Sequence, residues 1–170
     1  LAGAVLAALA TFWIGARLAN RRVGLLAGAA LGVSVLLSTE AGIAKTDAML
    51  CGLITLSFAG LAGLRTGAGK SAAFAFWIGI AGATLVKGPI GPLVIGLALL
   101  ALALWERRAA WMAPLLHAPA VLMGLAIVLP WMIAIGIATV AAFFIEAITQ
   151  DLAPKVAGGH EDLGGPPGYH

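Results

Sequence analysis

The chain has 170 residues, of which 62% are hydrophobic and only 10% charged, and its mean hydropathy is +1.06. A water-soluble domain of this length needs a far more polar surface, so the composition argues against an ordinary globular protein. Ten Lys and Arg against seven Asp and Glu leave a net charge of +3. The basic residues lie in short stretches between apolar runs, which points to membrane orientation and not to nucleic acid.

Apolar runs of a length that spans a bilayer as helix recur along the whole chain. A signal peptide would be a single N-terminal event. The alternating pattern of barrel strands is absent, and in lipid a backbone must satisfy its own hydrogen bonds, so helices are expected. The reading is an all-α membrane protein, a polytopic bundle of about six spans near 2–16, 23–38, 48–64, 72–86, 89–105 and 111–137. Gly24, Gly28 and Gly32, and Gly79 with Gly82, have the spacing that lets helices approach closely. After the sixth span, the apolar stretch 139–150 with Phe143, Phe144 and Glu146 is predicted to lie along the outer interface as an amphipathic helix. From Asp151 the composition turns to Gly, Pro and charge, as in an extracytoplasmic loop. Two parts follow: a transmembrane bundle over 1–138, and an interfacial helix with an active-face loop over 139–170. The chain opens inside an apolar run and stops at Pro166-Pro167-Gly168-Tyr169-His170, so it is expected to be an internal fragment of a longer membrane protein.

The loops alternate in charge. Arg17, Arg21 and Arg22 fall in the first, Arg65 and Lys70 in the third, Arg107 and Arg108 in the fifth, with Glu106 as the one acid on that side. The other side holds Lys45, Lys87 and Lys155 with Glu40, Asp47, Glu146, Asp151, Glu161 and Asp162. Because Lys and Arg in short loops stay on the cytoplasmic side, the odd loops are assigned to the cytoplasm. Trp105 and Trp111 bracket the fifth loop as interfacial anchors would.

Several features read as packing or fail as motifs. Cys51 cannot form an internal disulfide and is expected to be a small buried residue. Gly67-Ala68-Gly69-Lys70-Ser71 resembles the end of a phosphate-binding loop, but position 64, where its leading glycine belongs, is Leu. His117, between Pro114 and Pro119, reads as a packed side chain, and Pro130-Trp131 as a kink or anchor of the sixth span. His160 with Glu161 supplies too few ligands for a closed metal site.

The candidate chemistry lies on the acidic side. Thr39-Glu40-Ala41-Gly42-Ile43-Ala44-Lys45-Thr46-Asp47-Ala48-Met49-Leu50 sets three ionisable groups between apolar runs, and such groups at a membrane are costly enough to be site candidates. Lys87 stands in Leu85-Val86-Lys87-Gly88-Pro89-Ile90-Gly91-Pro92, a tight break between spans. It reads either as a snorkelling lysine or as a cation facing a phosphate at the membrane edge.

These strings resemble the polyprenyl-phosphate-sugar-dependent glycosyltransferases, the family of protein mannosyltransferases and lipid A aminoarabinose transferases. The similarity runs through Ala44-Lys45-Thr46-Asp47-Ala48-Met49-Leu50, through Val86-Lys87-Gly88-Pro89, and through the tail from Lys155 by His160 and Glu161 to Pro166-Pro167 and Tyr169. It implies a fold of the GT-C type and a multi-pass protein of the bacterial inner membrane with its active face periplasmic. It also implies transfer of a sugar from a polyprenyl-phosphate donor to a lipid A, protein or glycan acceptor, among membrane lipids and without nucleic acid. On that resemblance Lys87 and Lys155 bind the donor phosphate. Asp47 matches a second acidic position of the family, auxiliary to catalysis through proton transfer or through metal or sugar binding, the principal base being expected upstream of this segment. Glu40, His160, Glu161 and Tyr169 face the sugar or a metal. No cofactor is certain, and a divalent cation is the one candidate. The alternative is a polytopic transporter or lipid flippase, which would carry ionisable groups near the membrane midplane.

Overall fold

The computed structural model describes residues 1–34, 46–107 and 110–139. Among them every regular element is helical. The α-helices are α1 (Ala2–Leu18), α2 (Arg21–Gly32), α3 (Asp47–Arg65), α4 (Lys70–Lys87), α5 (Ile90–Glu106) and α6 (Ala118–Thr139), with a 3-10 segment, Ala110–Leu116, before α6. The chain divides into two compact units, Leu1–Met132 and Ile133–His170. Of the second, only the end of α6 is described.

Local chemistry sets the helix boundaries. Asn20 is extended, and its Oδ1 accepts from the Val23 N–H at 3.0 Å, capping α2 straight after the end of α1. The α3–α4 turn is a Schellman stop: the Ala68 N–H reaches the Gly63 carbonyl at 2.8 Å and the Gly67 N–H that of Leu64 at 3.2 Å. Gly67, at φ 77°, occupies the left-handed position that this motif requires. The glycines of the string resembling a phosphate loop therefore end one helix and admit the next. Gly88 at φ 60° and then Pro89 reverse the chain between α4 and α5.

α1 packs on α2 and α3, α3 on α4, and α4 on α5, while α3 also meets α5 and the 3-10 segment. The contacts make α1–α2, α3–α4 and α4–α5 antiparallel and α1–α3 parallel. A Cβ on Gly24 would meet the Phe12 carbonyl at 2.5 Å, one on Gly52 the Gly3 carbonyl at 2.5 Å, and one on Gly91 the Ala83 side chain at 2.5 Å. The expected close approach holds at Gly24, Gly28, Gly79 and Gly82, whereas Gly32 has room for a side chain.

The buried set is dominated by small residues, among them Ala7, Ala10, Ala59, Ala62, Ala73, Ala81, Ala83 and Ala120. Phe76 and Ile95 are the large fully buried apolar side chains of the cluster that joins α3, α4, α5, the 3-10 segment and α6. Ser57 is fully buried as well, and its hydroxyl donates to the Phe76 carbonyl of α4 at 3.1 Å. Large apolar side chains point outward instead, with Leu100, Leu104, Leu122 and Ile133 more than half exposed.

Among the described residues two helices are long and apolar enough to cross a membrane: Asp47–Arg65, and Ala118–Ile137 at mean hydropathy 2.4. α1 and α5 are apolar but shorter. The expected sixth run, 111–137, is broken in two. Pro114 lies in the 3-10 segment, His117 links it to α6, and the His117 carbonyl accepts from the N–H groups of Ala120 and Val121. Pro119 falls in the first turn of α6, where its missing N–H costs nothing. Pro130 lies inside α6, which runs through it. Cys51, expected to be buried, is exposed on α3. Its neighbours Leu50 and Gly52 take the buried positions at that level of the helix.

Candidate functional site

Asp47 is the first residue of α3 and Lys87 the last of α4. Each charge opposes the partial charge of its own helix terminus, a carboxylate at the amino end and an ammonium at the carboxyl end. The antiparallel α3–α4 hairpin brings these ends together, and Lys87 Nζ donates to Asp47 Oδ1 at 2.6 Å. The side chains keep 30% and 42% of their exposure respectively, so the pair sits at the rim of the bundle. Two candidates 40 residues apart in sequence thus form one site. An ammonium has three donors and Asp47 Oδ1 accepts one, so Lys87 retains donors for a second anion.

The remaining sequence candidates, Glu40, Lys45, Lys155, His160, Glu161, Tyr169 and His170, lie outside the described residues, as does the stretch 140–150. Among the described residues no three His, Cys, Asp or Glu side chains gather as metal ligands. Asp47, the one described carboxylate at this end, already carries an ammonium, a poor start for a divalent cation.

The opposite end of the bundle gathers Arg17, Arg21, Arg22, Arg65, Lys70 and Arg107, as their places at the ends of α1, α3 and α5 and the starts of α2 and α4 require. Sequence reasoning missed a cluster here. Glu106 pairs with the Arg65 guanidinium through one carboxylate oxygen, and its Oε2 accepts from Trp111 Nε1 at 2.8 Å. Arg65 also lies over the Trp111 ring, 5.2 Å from its centroid. The Arg65 hydrogen bond, then the Trp111 N–H, holds the Glu106 carboxyl below its ordinary value, against a smaller opposing effect of burial. The one signal in the sequence was that Glu106 is the only acid on the basic side. Trp111 is therefore a hydrogen-bonded member of a clamp between α3, α5 and the 3-10 segment, while Trp105, 89% exposed, suits the anchor role. His117 packs edge-on against Phe74 at 6.0 Å, in keeping with a packing role.

Comparison with family models, with curated proteins and with solved structures gives no match.

Proposed function

We propose that this chain belongs to a membrane glycosyltransferase that moves a sugar from a polyprenyl-phosphate donor to an acceptor, with Lys87 and Asp47 on its active face. The observation that carries the reading is the Lys87–Asp47 pair, which unites two of the three strings that resemble this enzyme class. The outward display of large apolar side chains over a core of Ala and Gly supports a lipid surround, since helices in bilayers pack through small residues. A polytopic GT-C bundle of about six spans in a bacterial inner membrane, with this face periplasmic, accommodates the alternation of charge between the two ends. Lys87 would hold the donor phosphate and stabilise the charge it gains as the glycosidic bond breaks. Asp47 would act as an auxiliary acid beside the acceptor hydroxyl or the sugar. Lys155, Glu40, His160, Glu161 and Tyr169 would complete the pocket from the segments that flank it.

A transporter or flippase would carry ionisable groups near mid-depth. Among the described residues, every Asp, Glu, Lys and Arg falls within a turn of a helix end or between helices, which favours chemistry at the surface.

The test is binding of a polyprenyl phosphate against the corresponding polyprenol, which lacks the phosphate. Lys87→Ala, with helicity retained, is expected to lose the preference for the phosphate by roughly 10- to 100-fold, the range for a hydrogen bond to a charged group. An unchanged preference would return Lys87 to a snorkelling role.

A further inference from the structure

A groove of about 490 Å³ runs between α1 and the α3–α4 hairpin. That volume falls within the roughly 300–1,000 Å³ of small-ligand sites. Leu6, Leu9 and Leu56 line its walls, and Trp13, Arg17 and Ser71 lie toward one end. Leu6 to Arg17 covers on the order of 16 Å of helix axis, so the groove is a trench along the bundle and not a pit. Its polar end is the basic end of the bundle, remote along α3 and α4 from Asp47 and Lys87.

The charge at this mouth is one-sided. Arg65 is taken up by Glu106. Arg17 makes no ion pair among the described residues; its guanidinium lies over the Trp13 ring, 4.6 Å from the centroid. An aromatic face orients a guanidinium but leaves its charge uncompensated. Lys70 adjoins Ser71, and Arg21 and Arg22 open α2 at the same end. An apolar trench ending at a cation that has no ion-pair partner among the described residues matches a ligand with an acyl chain and an anionic head.

We propose that this groove is a binding site for an anionic phospholipid, with one acyl chain along Leu6, Leu9 and Leu56 and the phosphodiester at Arg17, beside Ser71, whose hydroxyl donates to the Ala68 carbonyl at 3.1 Å. The site is separate from the Lys87–Asp47 pair and does not depend on the transferase reading. The surrounding basic residues give it a selection rule. A lipid of net negative charge is favoured over a zwitterion, whose own ammonium would be repelled by Arg21, Arg22 and Lys70.

The experiment places the full 170-residue chain in detergent micelles doped with phosphatidylglycerol or phosphatidylcholine, each brominated on the upper acyl chain, and reads tryptophan quenching. Phosphatidylglycerol is expected to quench at lower mole fraction than phosphatidylcholine, and Trp13→Phe should abolish that excess. Arg17→Gln should weaken the phosphatidylglycerol response roughly fivefold, the effect of one cation near an anionic lipid, and Arg17→Lys should restore most of it. Arg17 and Trp13 are both exposed, so these variants test the site and not the fold. Equal quenching by the two lipids, or an excess that survives Trp13→Phe or Arg17→Gln, would overturn the proposal. A second copy or another helix seated in the groove would shield Trp13 from both lipids, and this too would overturn it.

Discussion

Replacing Asp47 by Asn separates the roles of the two paired residues, because the proposed mechanism moves binding and turnover in opposite directions. In the resting site the carboxylate takes one ammonium donor at 2.6 Å and cancels part of the Lys87 charge. An arriving phosphate must compete for that ammonium and also meets the negative charge of Asp47. The pair lies at the rim, with 30% and 42% of its side chains exposed, so its coupling belongs in the range of exposed ion pairs, about 0.2–1 kcal/mol. Asp47→Asn removes the competing charge, and polyprenyl-phosphate affinity should rise by roughly 1.4- to 5-fold. Sugar-transfer turnover should nevertheless fall, on the order of 10²-fold, since the proposed role of the carboxylate is to assist proton transfer. The α3 terminus loses a favourable charge of about 0.3–1 kcal/mol, too little to unfold the hairpin. The assay is direct binding of polyprenyl phosphate beside single-turnover sugar transfer, with Lys87→Met and the double variant closing the cycle. Affinity that falls together with turnover would refute the competition argument, since Asp47 would then contribute to holding the donor. Turnover left at the wild-type level would remove Asp47 from the chemistry.

Two further variants probe the bundle. Gly79→Ala should destabilise by about 1–3 kcal/mol, because its methyl would meet the Leu53 carbonyl at 2.6 Å and the Ser57 nitrogen at 2.7 Å, backbone atoms that yield only if α3 and α4 separate. Gly96→Ala on α5 has open space and should instead stabilise by about 0.8–1 kcal/mol through helix propensity, so equal signs in thermal unfolding of the two would refute the packing argument. Glu106→Gln should lower the melting temperature at pH 7. The folded state holds the Glu106 carboxyl below its ordinary 4.5, so its ionic contribution is complete above that value and is lost as pH falls through the lowered one. The gap between wild type and variant should close on acidification, and a constant gap would mean that the Arg65–Glu106 charge does not contribute.

The parts of the fold that could be read from the sequence are those governed by local chemistry. Gly88-Pro89 and the glycines at 67 and 69 mark two of the turns, and the basic and acidic ends follow from the positions of Arg17, Arg65, Lys70 and Lys87 along alternating helices. The break before α6 was hidden because Pro114 and Pro119 sit in a run whose apolar composition does not change, and composition alone cannot tell a 3-10 turn from the first turn of a longer helix. Cys51 was misplaced for a related reason. In a chain this apolar, hydrophobicity no longer distinguishes inward from outward positions; residue size does, and the inward face of α3 is marked by Ala48, Gly52, Ala59, Gly60 and Gly63. The Arg65–Glu106–Trp111 clamp and the Lys87–Asp47 pair join residues about 40 positions apart, and no local spacing announces such a contact.

The two ion pairs differ in a way that bears on function. Glu106 is fixed from two sides, by a guanidinium and an indole N–H, and its Arg65 partner is fixed again by the Trp111 ring. Such a closed set of contacts makes each member costly to move and suits a structural clamp. Lys87 and Asp47 meet at the tips of two helices, and the ammonium keeps donors to spare. Exchanging that contact for a phosphate costs only the modest coupling of a rim pair. Of the two pairs, the one at the acidic end lies at the exposed rim and is also the one that coincides with two of the strings resembling a lipid-phosphate-dependent transferase, which is where the proposed donor site falls.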